Sequence, residues 1–184
     1  IDTIYVENDK FSYTTSVDTI TSAYLLLKNR IEYPVFLDKG NKIKIKGDTI
    51  NLNFLTISGN IYNEEFTDFQ KALEDPADPS EKAGEETVDK RITVEKANTA
   101  EEMAEEFILQ HHSSYVSLYL LDKYFVQKET PDFSKIKKLV EVMTGVLQDK
   151  PYIERLNETI TQAEKSEIGK YAPFFSLPNA KGEK

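Results

Sequence analysis

NFLTISGNIYNEEFTDF, residues 53–69, is the stretch where the hydrophobic period of this chain changes. Asn53 to Ile57 reads as a strand. Ser58-Gly59-Asn60 carries turn chemistry, because Gly and Asn tolerate backbone conformations that other residues resist. Phe66, Phe69 and Leu73 then recur three and four residues apart, opposite Glu65, Asp68 and Lys71. That spacing makes one apolar stripe on a helix. The change at Asn60 divides the chain into a β half, residues 1–60, and a helical half, residues 61–166.

Upstream, alternation marks Thr3-Ile4-Tyr5-Val6, Phe11-Ser12-Tyr13-Thr14 and Ile43-Lys44-Ile45-Lys46 as strands. Ala23 to Leu27 (AYLLL) is an apolar run suited to a strand buried on both faces. Tyr33 to Leu37 (YPVFL) is another, and Pro34, which lacks a ladder donor, puts it at an edge or a strand start. Turns fall at Asn8-Asp9, Lys39-Gly40-Asn41 and Gly47-Asp48. About six short strands at near-regular spacing predict an antiparallel sheet or sandwich.

Downstream, about four helices are expected, giving an α+β fold. Asp75 to Gly84 (DPADPSEKAG) breaks the pattern and reads as an exposed connection. Thr99 fits an N-cap with Glu102 closing a capping box, and Met103, Phe107 and either Ala104 or Ile108 share the following face. Glu86 to Asn98 fits either a loop or an earlier part of the same helix. Tyr115 to Phe125 (YVSLYLLDKYF) is the most apolar stretch and reads as a central helix. A further helix starts near Pro131, with Ile136, Leu139, Val140, Met143 and Leu147 on one stripe. The last runs from about Pro151, carrying Ile153, Leu156 and Ile160.

The 184 residues are 39% hydrophobic and 30% charged, a composition able to offset the entropy of ordering. No apolar run is long enough to span a membrane as a helix. Ile1 in place of a start Met points to a mature or trimmed product. The net charge of −9 is unevenly placed: residues 64–106 hold 15 acidic and 5 basic side chains, the rest 17 and 18. Affinity for nucleic acid rests on phosphate neutralisation, so an acidic chain of this kind is not expected to bind it. The acidic block reads as a solvated helix face plus a flexible loop.

Chemistry candidates are few. With no Cys, the chain holds no disulfide, thiolate metal site or thiol catalyst. His111 and His112 are adjacent, so on a helix they diverge by about 100° and cannot share a metal as an i,i+4 pair does. Glu101, Glu102, Glu105 and Glu106 cluster at helical spacing, but acid–base catalysis needs two carboxylates in a cleft with pKa values driven apart. Gly40, Gly47 and Gly59 read as turn glycines rather than a phosphate loop, and Asp48 and Asn60 as turn residues rather than calcium ligands. Tyr115, Tyr119, Tyr124 and Phe125 read as core. No catalytic, cofactor-binding or metal-binding residue is assigned.

Near the C-terminus, Ile168 to Phe175 (IGKYAPFF) followed by Leu177 and Gly182 resembles the lead-in to the thioredoxin-like domain of TlpA/ResA-type thiol-disulfide oxidoreductases. Gly169, Ala172, Pro173, Phe175 and Gly182 carry that motif, and Phe174 stands where the family has an Asp. Ile1 to Tyr13, the hairpin Leu37 to Ile45, the junction Ile57 to Phe69 and His112-Ser113-Ser114 are similar to a domain of unknown function that precedes such domains in Gram-negative gut anaerobes. Family members usually carry further strands before the position of Ile1, so part of the sheet is expected to be absent. Residues 167–184 are then the lead-in to a catalytic domain beyond Lys184, where a C-x-x-C would lie. The resemblance implies an exported, periplasmic or outer-membrane-anchored protein. In it this chain is a non-catalytic accessory region that positions substrate or sets dimer geometry. Its partners are the downstream thioredoxin domain, substrate proteins or a second copy. The rival expectation is an independent exported peptide- or glycan-binding module; a hydrolase using the acidic cluster is a remote third.

Overall fold

The computed structural model describes residues 2–27, 31–47, 54–74, 90–148 and 150–165, with the backbone alone for 90–99 and 146. The chain divides into two compact units, Ile1–Ala77 and Asp78–Lys184. Asp75 to Gly84 and the motif residues Gly169, Ala172, Pro173, Phe175 and Gly182 lie outside the described residues.

In the first unit, β1 (Thr21–Leu26) pairs antiparallel with β2 (Glu32–Leu37), from Thr21 opposite Leu37 to Leu26 opposite Glu32. β3 (Lys44–Gly47) pairs antiparallel with β4 (Leu55–Ser58), from Lys44 opposite Ser58 to Gly47 opposite Leu55. The described residues thus hold four strands in two small sheets, where about six in one sheet or sandwich were expected. The missing two are Thr3–Val6 and Phe11–Thr14. Only the turn between them forms: Glu7 and Lys10 exchange backbone hydrogen bonds at 2.9 and 3.0 Å around Asn8 and Asp9, at φ +50° and +60°. Two positive φ values make the turn type that hairpins favour. Alternation found a turn but not the strands, because Tyr5, Val6, Phe11 and Tyr13 remain exposed and no strand among the described residues buries one face of the hairpin.

β1 also differs from expectation. Tyr24 and Leu26 are 55% and 65% exposed, so AYLLL is not a strand buried on both faces. An apolar run shows what a strand is able to bury, not whether another layer covers it. β2 does form the interior: Tyr33, Pro34, Val35 and Phe36 are all buried.

α1 (Ile61–Glu74) follows β4 through Gly59, whose φ is +113°. A Cβ there would lie 2.2 Å from the Lys42 carbonyl oxygen, so the turn requires Gly on both conformational and steric grounds. α1 lays Phe66 and Phe69 against β4 and β2. Phe66 meets the rings of Tyr33 and Phe36 edge-on, at 6.3 and 6.2 Å between centroids.

The second unit is helical. α2 (Lys90–Gln110) runs unbroken through Thr99, which is therefore not an N-cap, and Glu102 closes no capping box. A cap needs extended backbone at its own position; here helical backbone already precedes it. The described part of Glu86 to Asn98, from Lys90 onward, is helix. Ala104 and Ile108 are both fully buried, with Met103 and Phe107 beside them half-buried.

α3 (Tyr115–Leu121) starts at Ser114, whose hydroxyl accepts from the Val116 N–H at 3.2 Å. It continues into a π turn, Asp122–Val126, so the expected helix is present with its last turn widened. α4 (Phe133–Val142) is capped by Asp132, which accepts from the Lys135 N–H at 3.0 Å. Met143 and Leu147 are buried as expected, but they lie beyond α4, the second in a 3-10 turn, Gly145–Leu147. α5 (Pro151–Lys165) buries Ile153, Leu156 and Ile160. Counting α1, the described residues hold five α-helices rather than about four. α2 packs on α3, the π turn and α4, and α4 packs on α5, enclosing Leu120, Leu121, Ile136 and Leu139.

Candidate functional site

The densest polar arrangement in the first unit lies where α1 meets the strands. Asn60 caps α1, its Oδ1 accepting from the Asn63 N–H at 3.0 Å, while its Nδ2 donates to the Phe36 carbonyl at 2.8 Å and to Asn41 Oδ1 at 3.0 Å. Asn63, 1% exposed, accepts the Phe36 N–H at 2.9 Å and donates to the Phe36 carbonyl at 2.8 Å. Its side-chain amide therefore pairs with the edge of β2 as a neighbouring strand would.

One and two turns further on, α1 treats β4 in the same way. Thr67 Oγ1 accepts the Ile57 N–H and donates to the Ile57 carbonyl, both at 3.0 Å. Tyr33 accepts the Leu55 N–H at 2.7 Å and donates to Gln70 Oε1 at 2.9 Å. Burial pushes the Tyr33 hydroxyl above its ordinary pKa against the opposing effect of these bonds, which keeps it a phenol and a donor. Among the described residues no buried side-chain nitrogen or oxygen lacks a partner. These polar groups serve the strand backbones and one another. Thr67 and Gln70 were not singled out from sequence, and Asn63 only as part of the family-like strand-to-helix junction. Their spacing with Asn60, on the face that also carries Phe66, was the available signal: polar residues on a buried stripe of a helix beside short strands.

In the second unit two of the four clustered carboxylates, Glu101 and Glu105, belong to an ion-pair network, while Glu106 accepts from Gln110 Nε2 at 3.0 Å. Glu101 pairs with Lys128 and, at 3.4 Å, with Lys135, whose Nζ is also 2.7 Å from Glu105. Partial burial pushes the Glu101 carboxyl up, but the bonds and charges of Lys128 and Lys135 outweigh it and hold the group below its ordinary value. Lys135 is raised, first by its hydrogen bond to Glu105. Both shifts favour the charged forms, the reverse of what a general acid needs.

The two histidines lie past the end of α2. His111 stacks on Phe107 at 4.3 Å, and His112 Nδ1 is 3.2 Å from Thr144 Oγ1. No group of three potential metal ligands occurs among the described residues. Tyr115 and Phe125 are core, and Tyr119 and Tyr124 are half-buried; Lys123 on the π turn lies 5.6 and 5.5 Å from those last two ring centroids. No helix among the described residues is long and apolar enough to cross a membrane.

One basic feature stands out in this acidic chain. Lys39, Lys42, Lys44 and Lys46 fall within eight residues that contain no acidic side chain, and all four are exposed. They lie on the turn and the segment leading into β3 and on β3 itself. The alternation of Ile with Lys at 43–46 was legible as a strand; the pattern alone does not say which side of that strand is paired.

Neither the curated proteins nor the solved structures contain a match to this chain. Residues 1–66, which run from the N-terminal turn through both sheets and into the first turns of α1, match the family model described as a domain of unknown function (DUF4369).

Proposed function

We propose that this chain is a non-catalytic accessory region of an exported thiol-disulfide oxidoreductase of the TlpA/ResA-like kind, positioning substrate or setting dimer geometry. The reading rests on one conjunction. Residues 1–66 match a domain of unknown function, and residues 168–182 of the same chain, G-x-x-A-P-x-F onward, resemble the lead-in to a thioredoxin-like domain. Two features agree with it. The chain has no Cys, so any thiolate chemistry belongs to another domain. The buried polar side chains of the first unit serve its own strand edges. The proposed location is periplasmic or outer-membrane-anchored, and the proposed partner is the downstream thioredoxin domain.

The test uses the product of the complete reading frame, intact and with residues 1–165 deleted. Reduction of a small-molecule disulfide should survive the deletion, because the thioredoxin fold alone carries that chemistry. Reduction of a folded disulfide-bonded protein, or the oligomeric state, should change. If neither changes, the accessory role is wrong. The lysine-lined β3 favours a second reading, an independent exported peptide-binding module, which a product without any redox domain would support.

A further inference from the structure

The hydrogen bonding of β4 fixes which way β3 faces. Ile57 directs its N–H and C=O to Thr67, on the side of β4 away from β3. In an antiparallel pair, residues directly opposite either exchange both hydrogen bonds or point both groups outward. Ile57 is opposite Ile45, so the Ile45 N–H and C=O point away from β4, onto the outer edge of β3. No described residue pairs with that edge. Ile45 is half-buried on one face of the strand, while Lys44 and Lys46 stand exposed on the other, and Lys42 precedes them by the same two-residue step. None of the three makes an ion pair with a described residue.

We propose that the outer edge of β3, unpaired among the described residues, docks an extended acidic peptide segment of a partner protein by strand addition. Backbone pairing at Ile45 supplies register, and carboxylates at alternate positions meet Lys44 and Lys46. The charge row also explains why the partner is not a second copy of this edge. Two copies of β3 would set lysines against lysines, the usual way an exposed edge is kept from self-pairing. An acidic strand meets the opposite sign. Nucleic acid is the less favoured polyanion: the basic row is confined to one short strand and the segment before it, in a chain with net charge −9 whose field repels a long phosphate backbone. The inference deepens the positioning role proposed above and rests on that reading only for the use to which the bound segment is put.

The test takes the whole chain and a short synthetic peptide that alternates Glu with Thr and Val, followed by fluorescence anisotropy and by amide hydrogen exchange. Saturable binding that weakens as salt rises is expected, with the Ile45 amide protected in the complex. The double charge reversal K44E/K46E should weaken binding by about tenfold, the loss of two exposed ion pairs plus the repulsion that replaces them. K44R/K46R should bind like the parent, and K44Q/K46Q should fall between, which separates charge from any loss of fold. The proposal is overturned if the peptide fails to bind at low salt or if the charge reversal leaves affinity unchanged. It is also overturned if single-stranded DNA or polyphosphate binds equally well with the Ile45 amide unprotected. Any of these results leaves the deletion experiment above untouched, so the two readings fail separately.

Discussion

Asn63 and Thr67 show how single side chains stand in for absent strands. Asn63 holds both backbone groups of Phe36, and Thr67 both of Ile57. Removing the Thr67 hydroxyl takes the partner from both Ile57 backbone groups, whereas removing the Asn63 amide takes it from the Phe36 N–H while Asn60 Nδ2 still donates to the Phe36 carbonyl; each lost partner costs about 1–3 kcal/mol. Thr67→Val keeps the volume and deletes the hydroxyl, so it should destabilise the first unit by roughly 2–4 kcal/mol on that account. Thr67→Ser keeps the hydroxyl and should cost markedly less; chemical denaturation of the two variants provides the comparison. Equal losses would show that the methyl group, not the hydrogen bonds, carries the effect. Asn63→Leu should also destabilise the unit despite its greater hydrophobicity, through the Phe36 N–H that only the Asn63 side chain is seen to serve. None of this was readable from composition, because a polar residue on a helix face is ordinarily solvent-facing. Only the nearby strand edges make a buried Asn favourable.

Among the elements, α3 and its π turn carry the most apolar sequence, and Leu120 and Leu121 are both 0% exposed. Leu120→Ala and Leu121→Ala should each cost roughly 2–5 kcal/mol through lost burial and the cavity left behind. If both melt within about a degree of the parent, the packing of this helix is not as described. The pairing of α2 with the α4 region through Glu101 has a pH signature. The Glu101 carboxyl is held below its ordinary value of 4.5, so its contribution is fully present above that pH and is lost as pH falls through the lowered folded value. Lys135 is raised above 10.5, so its contribution is present below that pH and fades as pH rises past it. The stability difference between the parent and Glu101→Gln should therefore be flat between these limits and close in acid. Lys128 is substantially exposed, so solvent screening limits the plateau to about 0.5–1 kcal/mol. Urea unfolding of both proteins across pH measures this. A difference that persists unchanged well below the carboxylate range would contradict the assignment. Helical stripes were legible here because each buries against a neighbour at constant period: Ile136, Leu139 and Val140 on α4, and Ile153, Leu156 and Ile160 on α5. Helix ends were less so. The Thr99 capping pattern recurs inside α2 because Thr and Glu three apart are equally compatible with continuing helix.

For the whole molecule, the α+β order was legible from the change of period at Asn60, and the number of strands was not. Strand patterns at Thr3–Val6 and Phe11–Thr14 report local alternation, whereas a sheet needs partners that the pattern does not specify. The chain without cysteine should be silent in insulin reduction by dithiothreitol, since exchange requires a thiolate to attack the disulfide. Turnover above the uncatalysed rate would place redox chemistry where this account has none. The central claim is that these residues serve a thioredoxin-like domain encoded with them, and the reading frame beyond Lys184 tests it most directly. The account predicts a C-x-x-C within a few tens of residues, inside a strand–helix context. A stop codon at that point, or an unrelated domain, would contradict it.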